Sequence, residues 1–251
     1  MFDFFSTLIA FLLIHIVCDF YLQSNHCAQA KKANTYRSPE LYLHSLLHGI
    51  GLLVPALVLG LGWRSTVCLV IIVAVTHFII DLWKVITPNG DKFSYFMIDQ
   101  ALHISVLAVI AFHIADGVTV DAVLAHEKFS DVVMVVFAYL LILKPTSIVI
   151  GSVLKKYPIS CTDKNRISGL VAGGELIGYL ERLLILTFTL MGSYVAVGFV
   201  LAAKSIFRFG ELNKSDDRSM TEYVLIGSLL SVVITTLVGT LISLMLAVNI
   251  K

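Results

Sequence analysis

The chain has 251 residues, of which 58% are hydrophobic and only 14% are charged, and its mean hydropathy is +0.90. A soluble globular domain usually has about 25% charged residues, so this composition indicates a polytopic membrane protein instead. The net charge of +1 gives no basis for binding nucleic acid, and we predict no nucleic-acid partner.

The cysteines and the N-terminal segment exclude two further classes. Cys18, Cys27, Cys68 and Cys161 show no paired spacing, so we predict neither a disulfide framework nor a cysteine-based zinc site. Residues 4–22 have no basic segment before them and no small-residue cleavage pattern after them. We therefore interpret them as a retained first span and not as a signal peptide.

Apolar segments long enough to cross a bilayer recur along the whole chain. A span needs roughly 20 mostly apolar residues. On this criterion we predict an all-α transmembrane bundle of about eight spans, at residues 4–22, 41–61, 64–86, 95–115, 131–151, 169–190, 192–209 and 222–249. The first four spans form a predicted core domain, residues 1–115, and the other four form a second region, residues 116–251.

Basic residues are distributed unequally between the predicted connections. With the N-terminus outside, the cytosolic loops and flanks contain thirteen lysines and arginines, the outer side contains three, and two lie within spans. Because cytosolic loops of membrane proteins carry an excess of basic residues, this bias predicts that both termini lie outside.

Each of the first four predicted spans carries two ionisable residues four positions apart, which places both on the same helix face. The pairs are His15 and Asp19, His44 and His48, His77 and Asp81, and Asp99 and His103. In the predicted topology all four pairs lie at a similar depth in the cytosolic leaflet. Ionisable groups in hydrocarbon cost several kcal/mol unless they are paired, so we expect these eight side chains to converge on one interior centre.

Imidazole and carboxylate groups together suit zinc, iron, manganese or nickel. Five histidines and three aspartates exceed the needs of one tetrahedral ion, so the set fits two ions, or one ion with further carboxylates around it. We predict a divalent metal centre, with zinc favoured and with all eight residues as candidate ligands. The alternative is that the pairs only hold helices together. His26, His113 and His126 lie outside the pattern.

Further polar residues extend the predicted centre. Gln23 continues the helix face of the first pair, Gln100 follows Asp99, and Lys84 lies one turn beyond Asp81. We predict that Lys84 binds a phosphate or carboxylate oxygen of a substrate, and that it forms a catalytic set with Asp81 and Asp99. The two glutamines are candidate substrate contacts.

The second half of the chain carries charge of another kind. Arg182, Lys204 and Arg208 lie within or at the end of predicted spans, and they form a candidate cationic collar for an anionic head group. Interhelical salt bridges are the alternative interpretation, and Glu175 and Glu181 would then supply carboxylates. Pro145 in the middle of the fifth span predicts a kink.

Four stretches of the first half resemble a bacterial and phage family known as domain of unknown function 3307. They are HIVCDFYLQ (15–23), LHSLLH (43–48), HFIIDLWK (77–84) and DQALH (99–103). The resemblance covers about the first 115 residues. Later blocks are similar to the C-terminal region of longer members, namely GELIGYLER (174–182), AAKSIFRFGE (202–211) and EYVLIGSLLS (222–231). The resemblance implies a multipass protein of a bacterial inner membrane, and it implies no activity.

A looser similarity to integral-membrane metal-dependent hydrolases, which also place His and Asp on transmembrane helices, bears on the reaction class. We predict a membrane-embedded metal-dependent enzyme, a hydrolase that acts on a lipid or lipid-linked phosphate or ester from the cytosolic leaflet. Its partners would be membrane lipid and an anionic or lipid-linked small molecule. One alternative is a divalent-metal or proton transporter that uses the same residues, and another is a non-catalytic sensor or scaffold. The substrate and the oligomeric state are left open.

Overall fold

The computed structural model describes residues 4–88, 90, 92–115, 128–155, 164–212 and 218–248. Within these ranges the backbone is helical and contains no strand, which confirms the all-α prediction. The chain divides into two units, Met1–Phe137 and Ala138–Lys251. Cys161 and His126 lie outside the described residues. The domain boundary that we place near residue 115 stays a prediction.

The first unit contains the helices that carry the paired residues. In chain order they are α1 (Phe4–Ile16) with a π-helical extension (Val17–Leu22), α2 (Asn25–Asn34), a 3₁₀ turn (Thr35–Arg37), α3 (Pro39–Gly51), α4 (Leu53–Val58), α5 (Trp63–Ile86) and α6 (Phe93–Ile114). Helix α3 packs along α5, and α6 packs against both α1 and α5. Helix α7 (Lys128–Ile142) crosses the boundary between the units.

The second unit contains α8 (Lys144–Leu154), α9 (Lys164–Leu190), α10 (Tyr194–Leu212) and α11 (Arg218–Val248). Helix α9 packs against α10 and α11, and α8 packs against α11. The helical backbone is interrupted at Leu143, and Pro145 lies in the first turn of α8. Since proline removes a backbone donor and clashes with the preceding turn, this break is the kink that the sequence predicts.

Six described segments are long and apolar enough to cross a membrane: Phe4–Leu22, Pro39–Val58, Trp63–Ile86, Phe93–Ile114, Asp131–Leu154 and Glu222–Leu246. The chain is therefore a multi-pass membrane protein. Tyr194–Ile206, in the region of the predicted seventh span, forms a shorter apolar helix. The count of eight spans is not confirmed among the described residues, and it stays a prediction, as does the orientation.

Helix α5 shows why these sequences assemble with polar groups inside. Its buried stripe, at intervals of four residues, consists of Leu69, Val73, His77 and Asp81. Its exposed stripe, at the same interval, consists of Val67, Ile71, Val75 and Ile79. Large apolar side chains thus face outward, as expected for contact with lipid, whereas the ionisable pair faces the bundle interior.

The interior of the first unit is apolar at one end and ionisable at the other. The apolar part consists of Phe11, Leu52, Ala56, Leu69, Val73, Leu107 and Ala111. Helix α6 follows the same pattern, because its buried residues change from Asp99 and His103 to Leu107 and Ala111 along the helix. The paired residues consequently lie at the end of the bundle to which α2 is connected.

Helices α3 and α5 approach closely at Gly49. A Cβ atom added to Gly49 would lie 2.7 Å from the carbonyl oxygen of Val70 and 3.0 Å from Cβ of Ala74. Small residues permit such close helix packing in membranes. Gly49 lies one residue beyond His48, so this contact fixes the distance between the histidines of α3 and those of α5.

We predict that Gly49→Ala destabilises the protein by about 1–3 kcal/mol, because α3 and α5 must move apart to admit the methyl group. The control is Gly198→Ala in α10, where no described atom lies within 4 Å of the added Cβ. The measurement is the melting temperature of each variant in detergent, followed by size-exclusion chromatography after heating. Equal melting temperatures for the two variants would contradict the close contact.

Candidate metal centre

The structure brings all eight predicted ligand residues together in one buried cluster of the first unit. The π-helical extension of α1 provides Asp19 beside His15, and α3 provides His44 and His48. The other four residues, His77, Asp81, Asp99 and His103, come from α5 and α6. Every imidazole and Asp99 are at most 4% exposed. The geometric prediction that these side chains converge on a shared interior is therefore correct, while their role as ligands stays a prediction.

Asp19 lies at the middle of the first group of candidate ligands. Its Oδ1 atom is 2.9 Å from Nε2 of His48, 3.1 Å from Nε2 of His44 and 3.7 Å from Nε2 of His77. One donor atom from each of these four residues lies within 4.8 Å of all the others. Ligand atoms about 2.0–2.1 Å from a tetrahedral ion such as Zn²⁺ lie about 3.3 Å apart, so this group can hold such an ion.

Asp19 owes its position to an irregular backbone. It lies in the π-helical stretch Val17–Leu22, which ends where the N–H group of Gln23 donates to the carbonyl oxygen of Cys18 at 3.1 Å. Single π-helical turns occur frequently at functional sites, because they change the direction of a side chain within an otherwise regular helix. His15 Nε2 still lies 3.5 Å from Asp19 Oδ2. Gln23 itself is half-buried at the end of this stretch.

A second group of candidate ligands consists of His77, Asp81 and His103, again within 4.8 Å of one another. Nε2 of His103 lies 3.6 Å from Asp81 Oδ1, and Nε2 of His77 lies 3.9 Å from Asp81 Oδ2. The ring of His77 stacks on His48 at 3.6 Å and on His103 at 4.0 Å between centroids. The two groups therefore meet at His77, which belongs to both.

Hydrogen bonds, such as that between Nε2 of His44 and Oδ1 of Asp19, account for only part of this arrangement. Nε2 of His48, His77 and His103 and Oδ1 of Asp99 are buried and have no hydrogen-bond partner among the described residues. Nε2 of His48 nevertheless lies 2.9 Å from Oδ1 of Asp19. A buried polar atom without a partner costs about 1–3 kcal/mol. A cation bound by the first group would satisfy the Nε2 atoms of His48 and His77, so the donor set of that group fits a metal ion.

Gln100 connects His15 and Asp99, which lie outside the two groups, to Asp19 of the first group. Its Nε2 donates to Asp19 Oδ2 at 3.0 Å and to Asp99 Oδ2 at 3.3 Å, and its Oε1 lies 3.4 Å from Nε2 of His15. These contacts orient two carboxylates and one imidazole, as residues around a metal ligand commonly do. Whether Gln100 or Gln23 contacts a substrate stays a prediction.

Two lysines each bind one carboxylate oxygen of the cluster. Nζ of Lys84 donates to Asp99 Oδ2 at 2.6 Å, and this lysine side chain is 29% exposed. Nζ of Lys31 donates to Asp81 Oδ2 at 2.6 Å, and this side chain is only 4% exposed. The two lysines thus differ in their exposure to solvent, although the distance from Nζ to the carboxylate oxygen is the same in both ion pairs.

Sequence reasoning missed Lys31, because it counted this residue only among the basic residues of a cytosolic loop. The loop is helical: Ser24 caps α2 by accepting a hydrogen bond from the N–H group of Cys27. Helix α2 then packs against α3 and α5. Ser24 was the signal available in the sequence, because a serine at this position predicts the start of a helix. In that helix Lys31 lies four residues beyond Cys27 and therefore on the same face, which packs against the bundle.

The charged residues of the second unit have partners of their own. Arg182 is buried and donates to Ser147 Oγ at 2.7 Å and to Ser231 Oγ at 3.2 Å. Lys204 forms an ion pair with Glu181. The side chain of Arg208 lies outside the described part of the chain. The cationic collar formed by Arg182, Lys204 and Arg208 stays a prediction.

Removal of the Lys31 charge should destabilise the first unit. We predict that Lys31→Ala lowers the free energy of unfolding by about 3–5 kcal/mol, because Asp81 would be left buried without its partner. Lys32→Ala, which changes the exposed neighbouring lysine on α2, should lower it by less than about 1 kcal/mol. Denaturant unfolding in detergent measures both values. A Lys31→Ala protein as stable as Lys32→Ala would show that Asp81 does not depend on this ion pair.

The comparison with known proteins covers the part of the chain that carries this cluster. The family model described as "Protein of unknown function (DUF3307)" matches residues 7–132, just over half of the chain. No curated protein and no solved structure matches. The matched range includes every helix that contributes a residue to the two candidate ligand groups. The chain therefore belongs to the DUF3307 family of proteins of unknown function.

Proposed function

We propose that this protein is a membrane-embedded metal-dependent enzyme, a hydrolase that acts on a lipid or on a lipid-linked phosphate or ester. The observation that supports it is the group of Asp19, His44, His48 and His77, whose donor atoms converge within 4.8 Å of one another in a buried site. Zinc is the proposed ion, because imidazole and carboxylate ligands suit it, and because zinc can expand from four to five ligands and so admit a water molecule beside these four residues.

The residues around this group supply the other functions that hydrolysis needs. A bound divalent ion would act as a Lewis acid and activate a water molecule. Asp81 and Asp99 are the proposed proton acceptors, since each has one oxygen on a lysine and the other directed towards His103. Lys84 is the proposed contact for an anionic substrate oxygen, because it is partly exposed at the edge of the cluster.

The apolar side of the cluster argues against the transporter alternative. A cavity of about 10 Å³, enough for about one water molecule, lies between His15, His48, His77 and His103 and the apolar residues Phe11, Leu52, Val73 and Leu107. Beyond these residues the interior of the first unit is mostly apolar, although Thr7 of α1 is buried there. Transport of an ion or proton needs polar groups or water along the whole path. The arrangement thus favours a site that is reached from one end of the bundle.

The metal content of the purified protein tests the ligand group. After mild purification in detergent, we expect at least about one zinc ion per wild-type chain. We expect His77→Ala to reduce metal affinity by more than about tenfold, since loss of even an outer residue around a metal commonly costs 10–100-fold. His113→Ala, which changes an exposed histidine of α6, is the control and should bind like the wild type. Less than about a tenth of an ion per wild-type chain would count against the proposal.

Turnover of two probe substrates tests the reaction. We expect metal-dependent hydrolysis of a fluorogenic phosphate monoester or of a fluorogenic long-chain acyl ester in mixed micelles. Asp81→Asn should lower kcat by about 10²–10⁴-fold, as loss of a general base does. His26→Ala, an exposed residue of α2, is the control and should keep full activity.

Transport is measured in parallel with the same variants. Zinc uptake into dye-loaded proteoliposomes that depends on His77, together with no hydrolysis of either probe, would favour the transporter over the hydrolase.

A further inference from the structure

The two candidate ligand groups share one donor atom, Nε2 of His77. Nε2 of His77 lies 3.7 Å from Asp19 Oδ1 in the first group and 3.9 Å from Asp81 Oδ2 in the second. A neutral imidazole nitrogen has one lone pair and can bind one ion. An ion held by the first group therefore leaves only two members of the second group, Asp81 and His103, for a second ion, which is fewer protein ligands than zinc sites usually have.

Lys31 already neutralises the carboxylate of the second group. Its Nζ atom lies 2.6 Å from Asp81 Oδ2, and this is the oxygen that faces the first group, 4.0 Å from Nε2 of His44. The ammonium group is almost completely buried, so bulk water does not screen it. The ammonium group of Lys31 therefore already balances the charge of Asp81, which a second metal ion would otherwise do.

The formal charges of the cluster favour a single ion. Asp19, Asp81 and Asp99 contribute three negative charges, and the two lysines contribute two positive charges. Imidazoles bind metal in their neutral form. One divalent ion changes the total from minus one to plus one, whereas two ions would give plus three in a largely buried space. Uncompensated buried charge is strongly unfavourable.

We propose that the centre binds one divalent ion, through Asp19, His44, His48 and His77, and that the ammonium group of Lys31 takes the place of a second ion at Asp81. This inference rests on the proposed metal centre and specifies its stoichiometry. It also makes α2 a part of the centre. This helix has 10 residues and is too short to cross a bilayer, yet it supplies the charge that completes the site.

Titration with Co²⁺ tests the inference. The full-length protein in detergent is stripped with a chelator, and Co²⁺ alone is then added while ligand-field absorption and equilibrium dialysis are recorded. The wild type should saturate at one equivalent. Lys31→Gln should bind two equivalents, since it removes the ammonium charge and offers an amide oxygen. Lys31→Arg keeps the charge and should remain at one equivalent, as should Lys32→Gln.

Each contrary outcome has a separate meaning. Two equivalents in the wild type would overturn the inference while leaving the metal centre itself intact. A folded Lys31→Gln protein that still saturates at one equivalent would also overturn it. No Co²⁺ binding by the wild type would overturn the proposed metal centre, and this inference with it. If Lys31→Gln does not fold, the titrations of the wild type and Lys31→Arg decide, because both must end at one equivalent.

Discussion

An ionisable group can lie inside a transmembrane bundle only where the protein supplies its partners, because hydrocarbon provides neither hydrogen bonds nor screening. This constraint determines how the first unit assembles. Helices α1, α3, α5 and α6 each carry ionisable groups on one face and large apolar side chains on another. The only arrangement that satisfies both is one in which the ionisable faces meet. The four helices therefore depend on one another, since none can bury its pair alone.

The same constraint makes the unpartnered atoms informative. If the cluster served only to hold helices together, each imidazole nitrogen should have found a hydrogen-bond partner, because the cost of leaving it without one is large in a dry interior. Instead, the Nε2 atoms of His48, His77 and His103 converge without such partners in the described part of the chain, whereas Asp81 and Asp99 each have one oxygen bound by a lysine. Proteins accept such local cost at functional sites and compensate for it in the surrounding structure.

The sequence predicts that the eight ionisable side chains converge, because two residues four positions apart lie on the same face of a regular helix. Four such pairs in four apolar segments leave little freedom in how the segments pack. The π-helical turn at Asp19 could not be predicted, since no composition signal marks the change from one hydrogen-bond register to the next. Lys31 was missed for another reason. Its contact with Asp81 is 50 residues away in the chain and depends on how α2 folds back.

The two lysines show how similar ion pairs can serve different purposes. In the pair between Lys84 and Asp99 the carboxylate is buried but the lysine side chain is 29% exposed, so Lys84 is accessible to an incoming anion. The pair between Lys31 and Asp81 is buried on both sides, and breaking such a pair costs about 3–5 kcal/mol, so Lys31 stays in place. In the proposed enzyme, the inaccessible Lys31 would keep the metal stoichiometry constant while the accessible Lys84 contacts an anionic substrate. This division of roles would suit the proposed catalysis better than the transporter alternative, because a conducting path needs every charged contact along it to be exchangeable.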